Sequence, residues 1–305
     1  MNRIKGVMAV VPTPLNIDET PDFDGIETLV NFLVDNNMGM FALGSAGEGM
    51  NIPFQDRVAI ARKMAEVNDG RQPLLIGAGS FSVREALQFI EALGEAKVDG
   101  VHVIPYDKKI SGNAVEALYT DIADRSHIPV WLYQNITRTS GIPLDVVGRL
   151  REHENIKGCK VAGFDLRLNQ SFLAMDREDF QVLGSADGQF FSFMCLGTAS
   201  STTSTAACFP EMMTDLYETI QADSLKAARE RNKEVMSFFK RIPKTAYGDN
   251  GESSAEIKYM LKLRGICQEH CARPFRAMNS EERKAAEIVY EDYLHYLETR
   301  EIKLG

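Results

Sequence analysis

The 305-residue chain contains no apolar run long enough for a secretory signal core or a membrane span. Its first apolar segment is short and broken by Pro12 and Pro14, so a cytoplasmic protein is the expectation. Cysteine is scarce: the five present are an odd number at irregular spacing, which suits a reducing compartment better than a disulfide framework. Cys267 and Cys271 stand at i, i+4 spacing without a second ligand pair, so two ordinary thiols are favoured over a structural zinc site. The histidines, at 102, 127, 153, 270 and 295, form no ligand cluster, which argues against metal-dependent chemistry. Positive charge is also in deficit. Lys and Arg total 34 against 43 Asp and Glu, a net charge of -9, and no basic stripe interleaves with aromatics, so nucleic acid is not an expected partner. An anionic substrate is still compatible with this, because the local field of a pocket sets binding there. Low-complexity tracts and linkers are absent too.

What the chain does have is alternation. Short β-branched runs at 7–11, 41–43, 73–76, 101–104, 130–133, 156–161, 181–183 and 200–204 are separated by stretches of helical periodicity. The Ser/Thr-rich run at 200–204 is the least strand-like of the eight. Helices are expected at about 24–36, 53–68, 82–96, 113–125, 144–153, 166–175 and 190–196, with Pro53 in a first turn and Ser82 as an N-cap. Strands alternating with helices imply a parallel sheet covered on both faces. Eight units in about 220 residues predict an α/β fold of the (β/α)8, or TIM barrel, type. Beyond Glu211 the pattern is helical, with segments near 211–221, 224–241, 255–264 and 280–297. The expected organisation is a barrel over 1–222 and a C-terminal helical extension over 223–305 that packs on it.

In such a barrel, chemistry collects at the C-terminal ends of the strands. Three candidates fall there. Lys160 closes the sixth strand; a lysine buried at a strand end favours its neutral amine, the form that attacks a carbonyl to make a Schiff base. Judged alone, a lysine that snorkels to water is the commoner explanation. Tyr133 ends the fifth strand, where a phenol can pass protons to a substrate oxygen or be a core aromatic. Gly44-Ser-Ala-Gly-Glu48 ends the second strand, where it can present N–H groups and the Ser45 hydroxyl to a carboxylate or be an ordinary tight turn. Cys159, one residue before Lys160, is expected on the opposite strand face.

Together, Gly44-Ser-Ala-Gly-Glu48, Tyr133-Gln-Asn135 with Arg138-Thr-Ser-Gly141, and Gly158-Cys-Lys160 resemble the signatures of the dihydrodipicolinate synthase and N-acetylneuraminate lyase family. The resemblance spans nearly the whole chain. It implies imine chemistry on pyruvate or another 2-oxo acid, possible use of an aldehyde partner, no metal or organic cofactor, and a homotetramer built as a dimer of dimers. It makes Lys160 the Schiff-base residue and Tyr133 the proton-transfer phenol, with Ser45 and the Ala46 backbone as the carboxylate site. Glu48 is expected to brace the loop. Tyr106, Arg138 and Thr202 join Ser45 and Ala46 as candidate substrate-binding residues.

Departures from the pattern bear on the substrate. The family's second loop hydroxyl is replaced by Ala46, and the position of a second relay tyrosine holds Asp107, with Tyr106 as a stand-in. One residue is inserted before Gly141, which loosens the assignment of Arg138. Gly184-Ser-Ala-Asp-Gly188 has glycine where sialic acid lyases carry a substrate-binding glutamate, and Thr202-Thr-Ser204 replaces a more apolar strand. A divergent lyase, aldolase or dehydratase, is the leading expectation. A non-catalytic 2-oxo-acid binding or regulatory protein on the same scaffold is the alternative, distinguished by ligand-induced stabilisation without turnover.

Overall fold

The computed structural model describes residues 3–79, 82–105, 110–136, 139–163, 165–244 and 254–304. Eight strands form a closed parallel barrel in sequence order. They are β1 (Gly6–Val10), β2 (Gly39–Ala42), β3 (Leu74–Gly77), β4 (Gly100–Val103), β5 (Val130–Asn135), β6 (Ile156–Ala162), β7 (Gln181–Ser185) and β8 (Ser200–Thr203). The Ser/Thr run therefore does close the barrel, pairing with β1 on one side and β7 on the other.

Helices α1 (Phe23–Asp35), α2 (Phe54–Asn68), α3 (Val83–Leu93), α4 (Gly112–Ala123), α5 (Leu144–Leu150), α6 (Leu166–Leu173) and α7 (Phe190–Cys195) follow the first seven strands. After β8 come α8 (Thr205–Cys208), α9 (Pro210–Gln221), α10 (Leu225–Arg241), α11 (Ala255–Leu263) and α12 (Ser280–Thr299). Local side chains set several starts: Asp22, Ser82, Ser111 and Asp165 accept from backbone N–H groups at their own helix N-termini. Asn279 and Glu282 form a reciprocal capping box on α12.

Differences from the sequence reading lie at the ends. Pro53 is the N-cap of α2, one residue outside the helix. Helix α3 stops at Leu93 because Gly94 follows with φ 57°, a left-handed turn that glycine enters without steric cost. The short α8 went unforeseen, since four residues carry too little periodicity to register. Among the described residues, no helix is long and apolar enough to cross a membrane.

The core has two parts. A large apolar layer lies between the strands and the surrounding helices, and Cys159 packs there. A smaller core, including Met8, Phe41, Leu75, Trp131, Tyr133 and Leu183, fills the barrel itself. At the base, Gln181 exchanges hydrogen bonds with the Ile4 backbone, its Nε2 donating at 2.6 Å and its Oε1 accepting at 2.9 Å. Above them the indole of Trp131 lies across the interior. It leaves no room for a Cβ at Gly100, 2.5 Å from its Cδ1, or at Gly158, 2.3 Å from its Cζ3.

Candidate active site

Tyr133 and Lys160 are register partners on β5 and β6, so both side chains point into the barrel near its C-terminal mouth. Lys160 is only 3% exposed. Its Nζ donates to Tyr133 Oη at 3.2 Å. The same nitrogen lies 4.0 Å from the centroid of the Phe41 ring and 4.4 Å from that of Tyr133, so two aromatic faces flank the amine. Tyr133 Oη also accepts from Asn135 Nδ2 at 3.4 Å, from two residues further along the same strand face. The snorkelling explanation for Lys160 is excluded by this burial and these partners.

Beneath the amine, His102 stacks on Phe41, with ring centroids 3.8 Å apart and planes 13° from parallel. Its Nε2 donates to the Ala42 carbonyl at 3.0 Å. Burial, opposed by that hydrogen bond and reinforced by the nearby Lys160 charge, pushes the imidazole down to about 3. His102 is therefore a neutral support under the Phe41 ring. Among the described residues, no three His, Cys, Asp or Glu side chains form a metal-binding group. Burial holds the Cys159, Cys267 and Cys271 thiols up at about 12.

The loop after β2 is tightly packed. Leu43 and Glu48 adopt φ of 54° and 56°, a left-handed conformation that carries strain in residues with a side chain. A Cβ at Gly47 would fall 2.9 Å from Leu43 N, and one at Gly49 would fall 2.2 Å from Leu43 O, so both glycines are sterically required. Thr13 Oγ1 donates to Gly47 O at 2.6 Å and closes the inner side. Ser45 and Ala46, at the top of the turn, line the cavity that Lys160 and Tyr133 also line.

That cavity has a volume of about 450 Å³. At its inner end are Phe41, Tyr133, Asn135 and Lys160; Thr202 enters from β8. Thr202 is fully buried, and its hydroxyl has no hydrogen-bond partner among the described residues. The outer end carries Asp187, Lys244 and Glu256. Asp187 Oδ1 accepts from Thr203 Oγ1 and, at 2.6 Å, from Thr205 N, which ties β7 to β8. Lys244 Nζ lies 3.7 Å from the centroid of the Phe239 ring. Burial pulls the Lys244 ammonium below the usual lysine range, partly countered by the Asp187 and Glu256 carboxylates.

Of the candidates from the sequence, the fold brings Lys160, Tyr133, Ser45, Ala46 and Thr202 around one cavity. Tyr106 and Arg138, and with them Asp107, lie outside the described residues. The Tyr133-Gln-Asn135 motif has a second use: Gln134 Oε1 accepts from Ile142 N, and Thr139 Oγ1 donates to Asn135 O at 2.9 Å, so the loop around Gly141 is pinned to the strand end. Sequence reasoning missed Phe41, His102, Lys244 and Glu256. The histidine was visible as a type, but nothing local marked it as the support of an aromatic wall.

The closed eight-strand barrel and the buried lysine near the C-terminal end of its sixth strand are accompanied by a family match along the chain. The model of the dihydrodipicolinate synthetase family matches residues 3–291, and the chain belongs to that family. The family's members include class I aldolase-type lyases, and this chain is a lyase of that type. It is 31% identical over 244 residues to the 4-hydroxy-tetrahydrodipicolinate synthase of Methanospirillum hungatei, covering 78% of this chain and 84% of that one. Among solved structures, dihydrodipicolinate synthase from Bacillus anthracis superposes with a TM-score of 0.87 at 25% identity, covering 95% of this chain and 99% of the other. The sialic acid aldolase of Ruminococcus gnavus shares the fold, with a TM-score of 0.90 at 16% identity over 98% and 99% of the two chains.

Proposed function

We propose that the protein forms an imine between Lys160 and the C2 carbonyl of a 2-oxo acid, and cleaves or rearranges the substrate from that intermediate. The observation that carries this reading is the buried Lys160 Nζ held 3.2 Å from the Tyr133 hydroxyl at the inner end of a cavity. In the first step the Lys160 amine adds to C2. Tyr133 relays the protons by which the amine loses hydrogen and the former carbonyl oxygen leaves as water. The resulting cationic imine draws electrons from the bonds to C3. Either the C3–C4 bond breaks as the C4 hydroxyl gives up its proton and departs as an aldehyde, or a C3 proton is lost and the enamine so formed expels the C4 hydroxyl, which takes up a proton and leaves as water. Phe41 and Tyr133 flank that cation with ring faces, which stabilises positive charge where it develops.

The carboxylate of the 2-oxo acid lies, in this reading, on the Gly44–Glu48 loop, with the Ser45 hydroxyl and the Ala46 N–H as donors. The Thr202 hydroxyl, without a partner among the described residues, and the polar outer end favour a substrate whose remaining chain bears hydroxyl groups, since a buried polar group without a partner is costly until a ligand supplies one. The Lys244, Asp187 and Glu256 side chains supply donors and acceptors for such a chain. Tyr106 and Arg138 keep their proposed substrate-binding roles on the family resemblance alone.

The test is turnover with a panel of unsubstituted and hydroxylated 2-oxo acids, alone and with aldehydes. Wild type should convert at least one hydroxylated member, and Lys160→Ala none. A folded wild type that turns over no member, or a Lys160→Ala variant that retains full activity, overturns the proposal.

A further inference from the structure

The loop after β2 is held from the far end of the chain. Ser254 and Lys258 stand four residues apart at the start of α11 and so share one helical face. Ser254 Oγ donates to the Ala46 carbonyl. One turn later Lys258 Nζ meets Glu48 Oε2 at 3.0 Å, and both side chains are completely buried. Each ion has a further partner: Lys258 donates to His270 O at 2.7 Å, and the same Glu48 oxygen accepts from Ala272 N at 2.8 Å. Two segments of the C-terminal layer thus converge on the last residue of the Gly44–Glu48 loop.

An ion pair taken wholly out of water is weak as a source of stability, because desolvation offsets the attraction. Its best-attested use is to select one arrangement over its competitors. The arrangement here is a loop with left-handed residues at Leu43 and Glu48, which would relax if released. Between those two residues stand Ser45 and Ala46, which face the cavity. Lys258 does not line the cavity, whereas Ser254, Glu256 and Ile257 of the same segment do, so Lys258 reaches the substrate only through the groups it positions.

We propose that Lys258 is a positioning residue for substrate binding, acting with Ser254 through Glu48 and the Ala46 carbonyl to hold the N–H and hydroxyl donors of the loop on the substrate carboxylate. The proposal rests on the reading of that loop as the carboxylate site. It assigns to the C-terminal helical layer a part in recognising the substrate.

Wild type, Lys258→Met and the double variant Glu48→Gln/Lys258→Met are compared as full chains in two measurements. One is amide hydrogen exchange of the 43–49 segment. The other is the pyruvate concentration dependence of borohydride trapping. The double variant leaves no orphan charge, so it keeps the test alive where Lys258→Met fails to fold. In the folded double variant the half-saturating pyruvate concentration should rise about tenfold, equal to about 1.4 kcal/mol, with the limiting trapping rate within about twofold of wild type. Exchange of the 43–49 segment should quicken while the peptide bearing β6 is unchanged. A merely structural staple lowers stability but leaves half-saturation where it was. Wild-type loop exchange together with wild-type half-saturation in the folded double variant overturns the proposal. If wild type itself does not trap pyruvate, the imine reading has failed, and the loop exchange alone decides whether the clasp positions the loop.

Discussion

Gly158 and Trp131 share one space at the base of the barrel: a Cβ on Gly158 would lie 2.3 Å from Trp131 Cζ3 and 2.3 Å from the Gln181 carbonyl oxygen. The glycine two residues before Lys160 therefore decides how closely β6 approaches its neighbours at the level below the amine. Because one of the obstructing atoms is backbone, rotating the indole away does not relieve the clash. Gly158→Ala should destabilise the fold by about 1–3 kcal/mol or more. The denaturant midpoint checks this, and a midpoint equal to wild type would contradict it.

Tyr133 is argued to move protons, and its ring also packs edge-on against Phe41 at 5.5 Å between centroids. Tyr133→Phe keeps the ring and deletes the hydroxyl that accepts from Lys160 and Asn135. Turnover should fall by about 10²–10⁴, the range for losing a general acid–base group, while the circular dichroism spectrum and thermal midpoint change little. A variant with near wild-type kcat would remove Tyr133 from the mechanism.

His102 makes stability depend on pH. Its folded value of about 3 lies below the ordinary histidine value of 6.5, so between those pH values the unfolded chain binds the proton and the folded chain does not. The contribution is complete above about pH 6.5 and is lost as pH falls towards 3, at up to about 1.4 kcal/mol per pH unit. Denaturation between pH 7 and 4.5 should show a shallower loss in His102→Asn than in wild type. Equal slopes would place the titration elsewhere.

Ala46 removes a hydroxyl from the loop that faces the cavity. Restoring it with Ala46→Ser should add one donor to the carboxylate and lower the half-saturating pyruvate concentration by a factor on the order of 5, equal to about 1 kcal/mol. A higher value would mean that the pocket uses the space left by the missing hydroxyl, and would point to a bulkier group near C1.

The barrel was legible in the sequence because each βα unit carries its own periodicity, and eight in a row leave few other architectures. The meeting of the candidate residues around one cavity was legible for a related reason: Gly44–Glu48, Tyr133–Asn135 and Gly158–Lys160 are short segments, each placed near a strand end by local pattern. What could not be read is what depends on partners far along the chain. Lys258 and Glu48 are 210 residues apart, and a lysine in an amphipathic helix looks like a solvated charge until the helix is docked. Phe41 and His102 stack across the barrel interior from β2 and β4, and neither residue type signals its neighbour. Gly158 read as part of a motif, whereas its steric reason is the Trp131 indole on the next strand.

The central claim is that Lys160 forms the covalent bond to substrate. Reductive trapping with borohydride in the presence of pyruvate, followed by peptide mapping, tests it most directly. The account predicts a single modified peptide, the one bearing Lys160, with trapping abolished in Lys160→Ala. Folded protein that stays unmodified across a series of 2-oxo acids, or is modified at another lysine such as Lys244 or Lys258, would contradict it.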